Sequence, residues 1–178
     1  MDDVAKELGM SKKTIYKFVE DKRDLVKQTM EFYLDNERRQ LEAILKPSKN
    51  SIDEMVGMIS YFLNQVQEFN PSALNDLQKY YPETWEIYNQ YRFHFMLTKI
   101  SENLKNGIEQ GVYRKDLNAD VVSRVYIGGI DMLIDQQLFP SKKYAFIDTY
   151  TEYLKYHFRG IVSPKGLKVL EQNNLLKN

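Results

Sequence analysis

The chain has 178 residues, in which 25 Lys and Arg balance 25 Asp and Glu, with two histidines and no cysteine. That length buries a sizeable core. The charge balance excludes bulk attraction to polyanions, so any nucleic-acid affinity is local, and the lack of cysteine excludes disulfide frameworks, thiolate metal sites and cysteine nucleophiles.

No apolar run approaches the roughly 20 residues of a membrane span, and Met1-Asp2-Asp3 does not open a basic, then apolar, leader. A soluble cytoplasmic protein with no membrane partner is expected. Apolar residues recur at helical spacing and no alternating stretch suggests a strand, so the fold class is all-α. The first short helix runs from about Asp2 to Leu8, with Val4, Ala5 and Leu8 on one face and Gly9 as a left-handed cap. Ser11 caps a second, Lys12 to Phe18, whose Ile15 and Phe18 are expected to face inward against Val4, Leu8 and Leu25. This is a candidate helix-turn-helix.

Asp21, with Asp24 three residues on, starts a long helix whose expected buried stripe is Leu25, Val26, Thr29, Met30, Tyr33, Leu41, Ile44 and Leu45. The polar break Lys46–Asn50 marks the expected boundary between a unit of residues 1–46 and one of residues 47–178. Ser51 with Glu54 reads as a capping box for a helix through Ile52, Met55, Ile59 and Phe62. Asn70-Pro71 opens a short helix ending near Tyr80 and Tyr81. Pro82 starts another that reaches about Asn106, with one stripe through Trp85, Tyr88 and Phe95 and a second through Phe93, Leu97, Ile100, Leu104 and Ile108.

Asn118 to about Leu138 is apolar nearly all round, and a last long helix, about Tyr144 to Arg159, is rich in aromatic residues. One protomer rarely covers every face of such helices, so a homodimer is expected. Its interface is expected at Ile127, Ile130, Ile134, Ile147, Tyr150, Leu154 and Phe158.

The segment Ser11-Lys12-Lys13-Thr14-Ile15-Tyr16-Lys17-Phe18 carries three lysines and no acid. Lysines and hydroxyls at a helix start suit phosphate oxygens. On charge alone a solvated basic helix is an equal reading. The wording from Met1 to Val26 resembles TetR-family DNA-binding domains in three places: Ala5 to Ser11 at the turn, Ile15-Tyr16-Lys17-Phe18 in the recognition helix, and Lys22-Arg23-Asp24-Leu25 opening the next helix. Arg159 to Gly166 is similar, less specifically, to the tail of many members.

The resemblance implies a helix-turn-helix followed by a helical ligand-binding and dimerisation domain, acting as a repressor on double-stranded operator DNA until a small-molecule effector releases it. It implies that Ser11, Thr14, Tyr16 and Lys22 hold phosphates while Lys12, Lys13 and Lys17 reach for base edges. The family has one more helix ahead of the turn. Met1 is therefore expected to be an internal methionine, and the alternative is a helical small-molecule or lipid-binding dimer that has lost DNA binding.

In TetR-like proteins the effector sits among the regulatory helices. Tyr61, Gln65, Phe69, Trp85, Tyr88, Arg92, Phe95 and Met96 are the candidate walls, with Asp131 and Gln136 as polar partners, although any one aromatic there also reads as plain core. Arg92, charged on a mostly apolar helix, needs a partner, a ligand anion or a path to solvent. His94 and His157 share no metal-binding spacing and no Gly-rich phosphate loop is present, so neither catalysis nor a cofactor is expected.

Overall fold

The computed structural model describes residues 1–66 and 71–172. The described residues are helical: α1 (Asp2–Glu7), α2 (Lys12–Ile15), α3 (Lys22–Leu45), α4 (Ser51–Val66), α5 (Pro71–Tyr80), α6 (Pro82–Gln90), a π-helical turn (Tyr91–Met96), α7 (Leu97–Glu109), α8 (Ala119–Ile134), α9 (Phe146–Ile161) and α10 (Pro164–Gln172).

Short polar side chains set the helix starts. Ser11 Oγ accepts from the Thr14 amide at 3.1 Å, Asp21 from Asp24 at 2.9 Å and Asn118 from Val121 at 3.2 Å. Each such cap contributes about 1 kcal/mol. At α4 the expected Ser51–Glu54 box does not form. Asn50 is the cap instead, its Oδ1 accepting from the Ile52 and Asp53 amides at 2.9 and 3.0 Å.

Ser51 and Glu54 are drawn into a buried network. The Asn103 amide nitrogen donates to the Ser51 carbonyl at 2.7 Å and to Glu54 Oε2 at 2.8 Å. The Tyr113 hydroxyl lies 3.0 Å from Asn103 Oδ1 and 3.1 Å from the same Ser51 carbonyl. These contacts tie the start of α4 to α7 and the turn after it. That turn reverses at Gly111, whose φ of 71° suits glycine.

Two clusters of buried side chains hold the chain. The larger joins Leu41 of α3, Ile52, Met55 and Ile59 of α4, Ile100 and Leu104 of α7, and residues of α8, α9 and α10. The smaller joins Ala5, Ile15 and Val19, with Met1, Val4 and Leu25 against it. In this second cluster Val19 takes the place expected of Phe18, which is 75% exposed, as Leu8 is also exposed. α2 ends at Ile15 and the chain turns through Tyr16 to Phe18, so the three-residue spacing of Ile15 and Phe18 no longer means one face.

On α3 the buried residues are Leu34, Glu37 and Leu41, whereas Thr29 and Tyr33 of the expected stripe are exposed. The expected tail after Arg159 is α10, capped by Ser163, whose Oγ accepts from the Gly166 amide at 3.0 Å and donates to the Gly111 carbonyl at 2.7 Å.

The expected dimer residues need correction. Ile127, Tyr150, Leu154 and Phe158 lie inside the protomer's own core, the last of them fully buried. Ile130 and Ile134 are half-buried and Ile147 is exposed. Tyr150, Leu154 and Phe158, four residues apart, form the stripe of α9 that faces α8 and α4, with the Tyr126 and Tyr150 hydroxyls 2.9 Å apart. The apolar side chains turned to solvent on α8 are Val121, Val125 and Met132, which share one face with Gly128. Tyr156, 80% exposed, is the largest on α9.

Candidate functional site

The N-terminal helix-turn-helix is built from very few residues. α1 stops because Gly9, at a φ of 60°, reverses the chain, and its amide returns to the Lys6 carbonyl at 3.2 Å. Ser11 then caps α2 and its Oγ also meets Thr14 Oγ1 at 2.9 Å. Ile15 alone of this helix is buried, so the remaining positions point outward. Ser11, Lys12, Lys13, Tyr16, Lys17 and Lys22 are exposed and Thr14 is half-buried.

Lys12 is engaged. Its ammonium pairs with Asp2 of α1, and that hydrogen bond lowers the Asp2 carboxyl and raises the Lys12 ammonium from their ordinary values. Lys13, Lys17 and Lys22 form no ion pair among the described residues. The positive potential of the segment therefore rests mainly on these three.

The second group of candidate residues lies where α3, α4, α6 and the π-helical turn meet. Tyr61 donates to Glu37 Oε1 at 2.6 Å and accepts from Gln65 at 3.1 Å. Trp85 and Tyr88 pack with ring centres 5.4 Å apart, and Tyr91 stacks on Phe95 at 5.3 Å. The Arg92 guanidinium pairs with Asp131 of α8 and lies over the Tyr88 and Phe93 rings at 5.5 and 4.9 Å. Arg38 lies over Tyr91 and Phe95 at 5.7 and 5.5 Å. Phe95 and Met96 also pack against the large core.

Burial governs the electrostatics here. It pushes the Tyr33 phenol up to about 12, with the Glu37 charge adding to it, and raises Tyr88 and Tyr91 as well. The Glu37 carboxyl is raised by burial, partly offset by the Tyr61 hydrogen bond.

Gln136 does not join this group. It lies in the turn after α8, where its Oε1 accepts from the Ser141 amide at 3.0 Å and its amide nitrogen reaches the Ile134 carbonyl, so it serves the loop. Phe69 lies outside the described residues.

Arg92 finds its partner in Asp131, with side-chain exposures of 11% and 44%. Removing the acid strands a largely buried guanidinium, while the solvent around Asp131 limits the loss. Asp131→Ala is expected to lower stability by about 1 kcal/mol in urea unfolding. An unchanged midpoint would mean that Arg92 swings out to water.

Glu37, Tyr33, Arg38 and Tyr91 were missed by the candidate list. Glu37 carried a signal, since it stands four residues after Tyr33 and four before Leu41, an acid on the inner stripe of a helix.

A short, exposed, lysine-rich helix set after a glycine turn, joined by a 24-residue helix to an all-helical body, defines a class. That class resembles the helix-turn-helix transcriptional regulators. The chain is 26% identical over 142 residues, covering 77% of its own length and 72% of the relative's, to the uncharacterized HTH-type transcriptional regulator YvaF of Bacillus subtilis (strain 168). Its fold is similar to that of the ketosteroid transcriptional regulator KstR2 of Mycobacterium tuberculosis, with a TM-score of 0.66 and 19% identity, covering 90% of this chain and 83% of that one. No family model matches the chain. Both relatives are transcriptional regulators rather than enzymes, in line with the non-catalytic reading of the sequence. Among the described residues no helix is long and apolar enough to cross a membrane.

Proposed function

We propose that the chain is a repressor that grips double-stranded operator DNA as a homodimer and lets go when a small-molecule effector enters the cluster around Tyr61, Tyr88 and Arg92. The observation that carries this reading is the exposure, on one short segment, of Lys13, Lys17 and Lys22 beside Ser11 and Tyr16, with no acid between Ser11 and Val19. Ser11, Thr14, Tyr16 and Lys22 hold phosphates. Lys13 and Lys17 reach into the major groove, and Lys12 contributes once DNA displaces Asp2.

Two readers must face the same side of the duplex about 34 Å apart. The exposed stripe Val121, Val125 and Met132 on α8, with Ile147 and Tyr156 on α9, is the surface through which a second copy fixes that distance. Residues 1–46 act as the reading unit and 47–178 as the sensing and pairing unit. α3 spans both, with Leu25 against the reader cluster and Leu41 in the large core. An effector that binds better when α3 is displaced shifts the population away from the DNA-competent spacing.

The test is a mobility-shift titration with fragments flanking the chain's own gene. Raising salt from about 50 to 200 mM is expected to weaken binding by about 10³-fold, and Lys13→Ala with Lys17→Ala by about 100-fold. Binding indifferent to salt, or unchanged in the double variant, would sink the reading. Small-molecule binding without DNA retention would favour the helical binding dimer.

A further inference from the structure

We infer that the effector is a lipophilic organic cation, an apolar body bearing a protonated amine, and that Glu37 is its counter-ion. This rests on reading the cluster of α3, α4, α6 and the π-helical turn as the effector site.

Glu37 is a carboxylate kept at 9% exposure on the helix that joins reader to sensor. Buried carboxylates are rare without a charged partner. Its only hydrogen-bond donor among the described residues is the Tyr61 hydroxyl at 2.6 Å, and no lysine, arginine or histidine there pairs with it. The cations nearby are committed elsewhere. Arg38, the next residue, is exposed and lies over Tyr91 and Phe95, and Arg92 is held by Asp131.

The walls are aromatic. Tyr33, Tyr61 and Tyr91 all lie within the electrostatic reach of Glu37, and Tyr88 is a neighbour of Tyr33. Tyr91 is 6% exposed. Ring faces carry negative potential, which favours a cation held close to them. A bound ammonium supplies the counter-charge that the fold leaves out, donates to Glu37 and beds its apolar part on Trp85, Tyr88 and Phe95. An anion in the same place meets the Glu37 charge. A neutral molecule leaves that charge uncompensated.

Three probes with one body and different heads separate these cases: decylamine, protonated at neutral pH, decanol and decanoate. Trp85, the single tryptophan, packed 5.4 Å from Tyr88, reports occupancy by fluorescence. Decylammonium is expected to bind about tenfold tighter than decanol, or better, with decanoate weakest. Glu37→Gln is expected to erase the difference between decylammonium and decanol. Tyr61→Phe, which takes away the only donor to Glu37 among the described residues, is expected to widen it, so the inference stays testable even where one variant folds poorly.

Equal binding of all three, preference for decanoate, or no binding by any of them overturns the inference. Running the same probes on protein bound to operator fragments separates the two readings. Decylammonium that binds without releasing DNA defeats the repressor mechanism alone, and release by decanoate but not decylammonium defeats the cation assignment alone.

Discussion

Gly107→Ala is expected to destabilise the protein by about 3 kcal/mol, the upper end for an overpacked core. An alanine Cβ there would stand 2.1 and 2.3 Å from Cδ2 and Cε2 of the Tyr113 ring. The ring has nowhere to go. Tyr113 is fully buried, its hydroxyl is pinned between Asn103 and the Ser51 carbonyl, and its amide donates to the Gly107 carbonyl at 3.0 Å. Relief therefore requires the end of α7 to part from the turn behind it, which also disturbs the network that anchors the start of α4.

Thermal unfolding checks this directly, with a melting temperature lowered by about 10 °C for a chain of this size. Gly160→Ala is the control, because it makes the same change on α9 with nothing within 4 Å of the new carbon, and it is expected to stabilise by about 0.5–1 kcal/mol. In a Tyr113→Ala background, Gly107→Ala should cost almost nothing more. A full additional loss there would place the strain somewhere other than the ring.

The sequence made legible those features whose cause is local. Gly9, Ser11 and Asp21 each act within four residues, and all three end or start helices as expected. Features decided at a distance were not legible. Asn50 and Ser51 are both good caps with an acid three residues later. Asn50 takes the role because Asn103 and Tyr113, more than 50 residues away, claim the Ser51 carbonyl. The α8 pattern shows apolar residues on every side, and pattern alone does not say which side its own protomer covers.

The π-helical turn is a different failure. Each of its turns takes up more chain than an α-helical one, so stripes drawn at a constant 3.6 residues drift out of phase beyond Gln90. Phe93, placed on an inner stripe, is 46% exposed, whereas Tyr91, on neither stripe, is 6% exposed. The aromatic cluster of α3, α4, α6 and the π-helical turn was thus half legible. Tyr61, Trp85, Tyr88, Arg92 and Asp131 stood out by type, while Tyr91 was hidden by the phase shift and Glu37 was left out of a stripe of α3 drawn chiefly from apolar residues.

Protonation of His157 is expected to weaken this protein in mild acid. This histidine is 7% exposed on α9, packed 4.8 Å from the Tyr126 ring and against Tyr153 and Phe158, and its Nε2 is buried with no hydrogen-bond partner among the described residues. Burial penalises the imidazolium and pulls the group down from 6.5 to about 4. The unfolded chain therefore takes up a proton at a higher pH than the folded one does. The stability this neutral histidine contributes is fully present above pH 6.5 and drains away as pH falls toward 4, a total of about 3 kcal/mol.

Between pH 7.5 and 5 the loss is about 2 kcal/mol, readable as a shift in urea midpoint. His157→Phe keeps a flat ring against Tyr126 and cannot titrate, so its stability should fall by about 2 kcal/mol less than that of the unaltered chain over the same interval. Taking the difference between the two proteins removes the carboxylates common to both. Parallel pH profiles would mean that the imidazole reaches water or a partner when charged, and the packing around Tyr126 would then have to open on the acid side without unfolding.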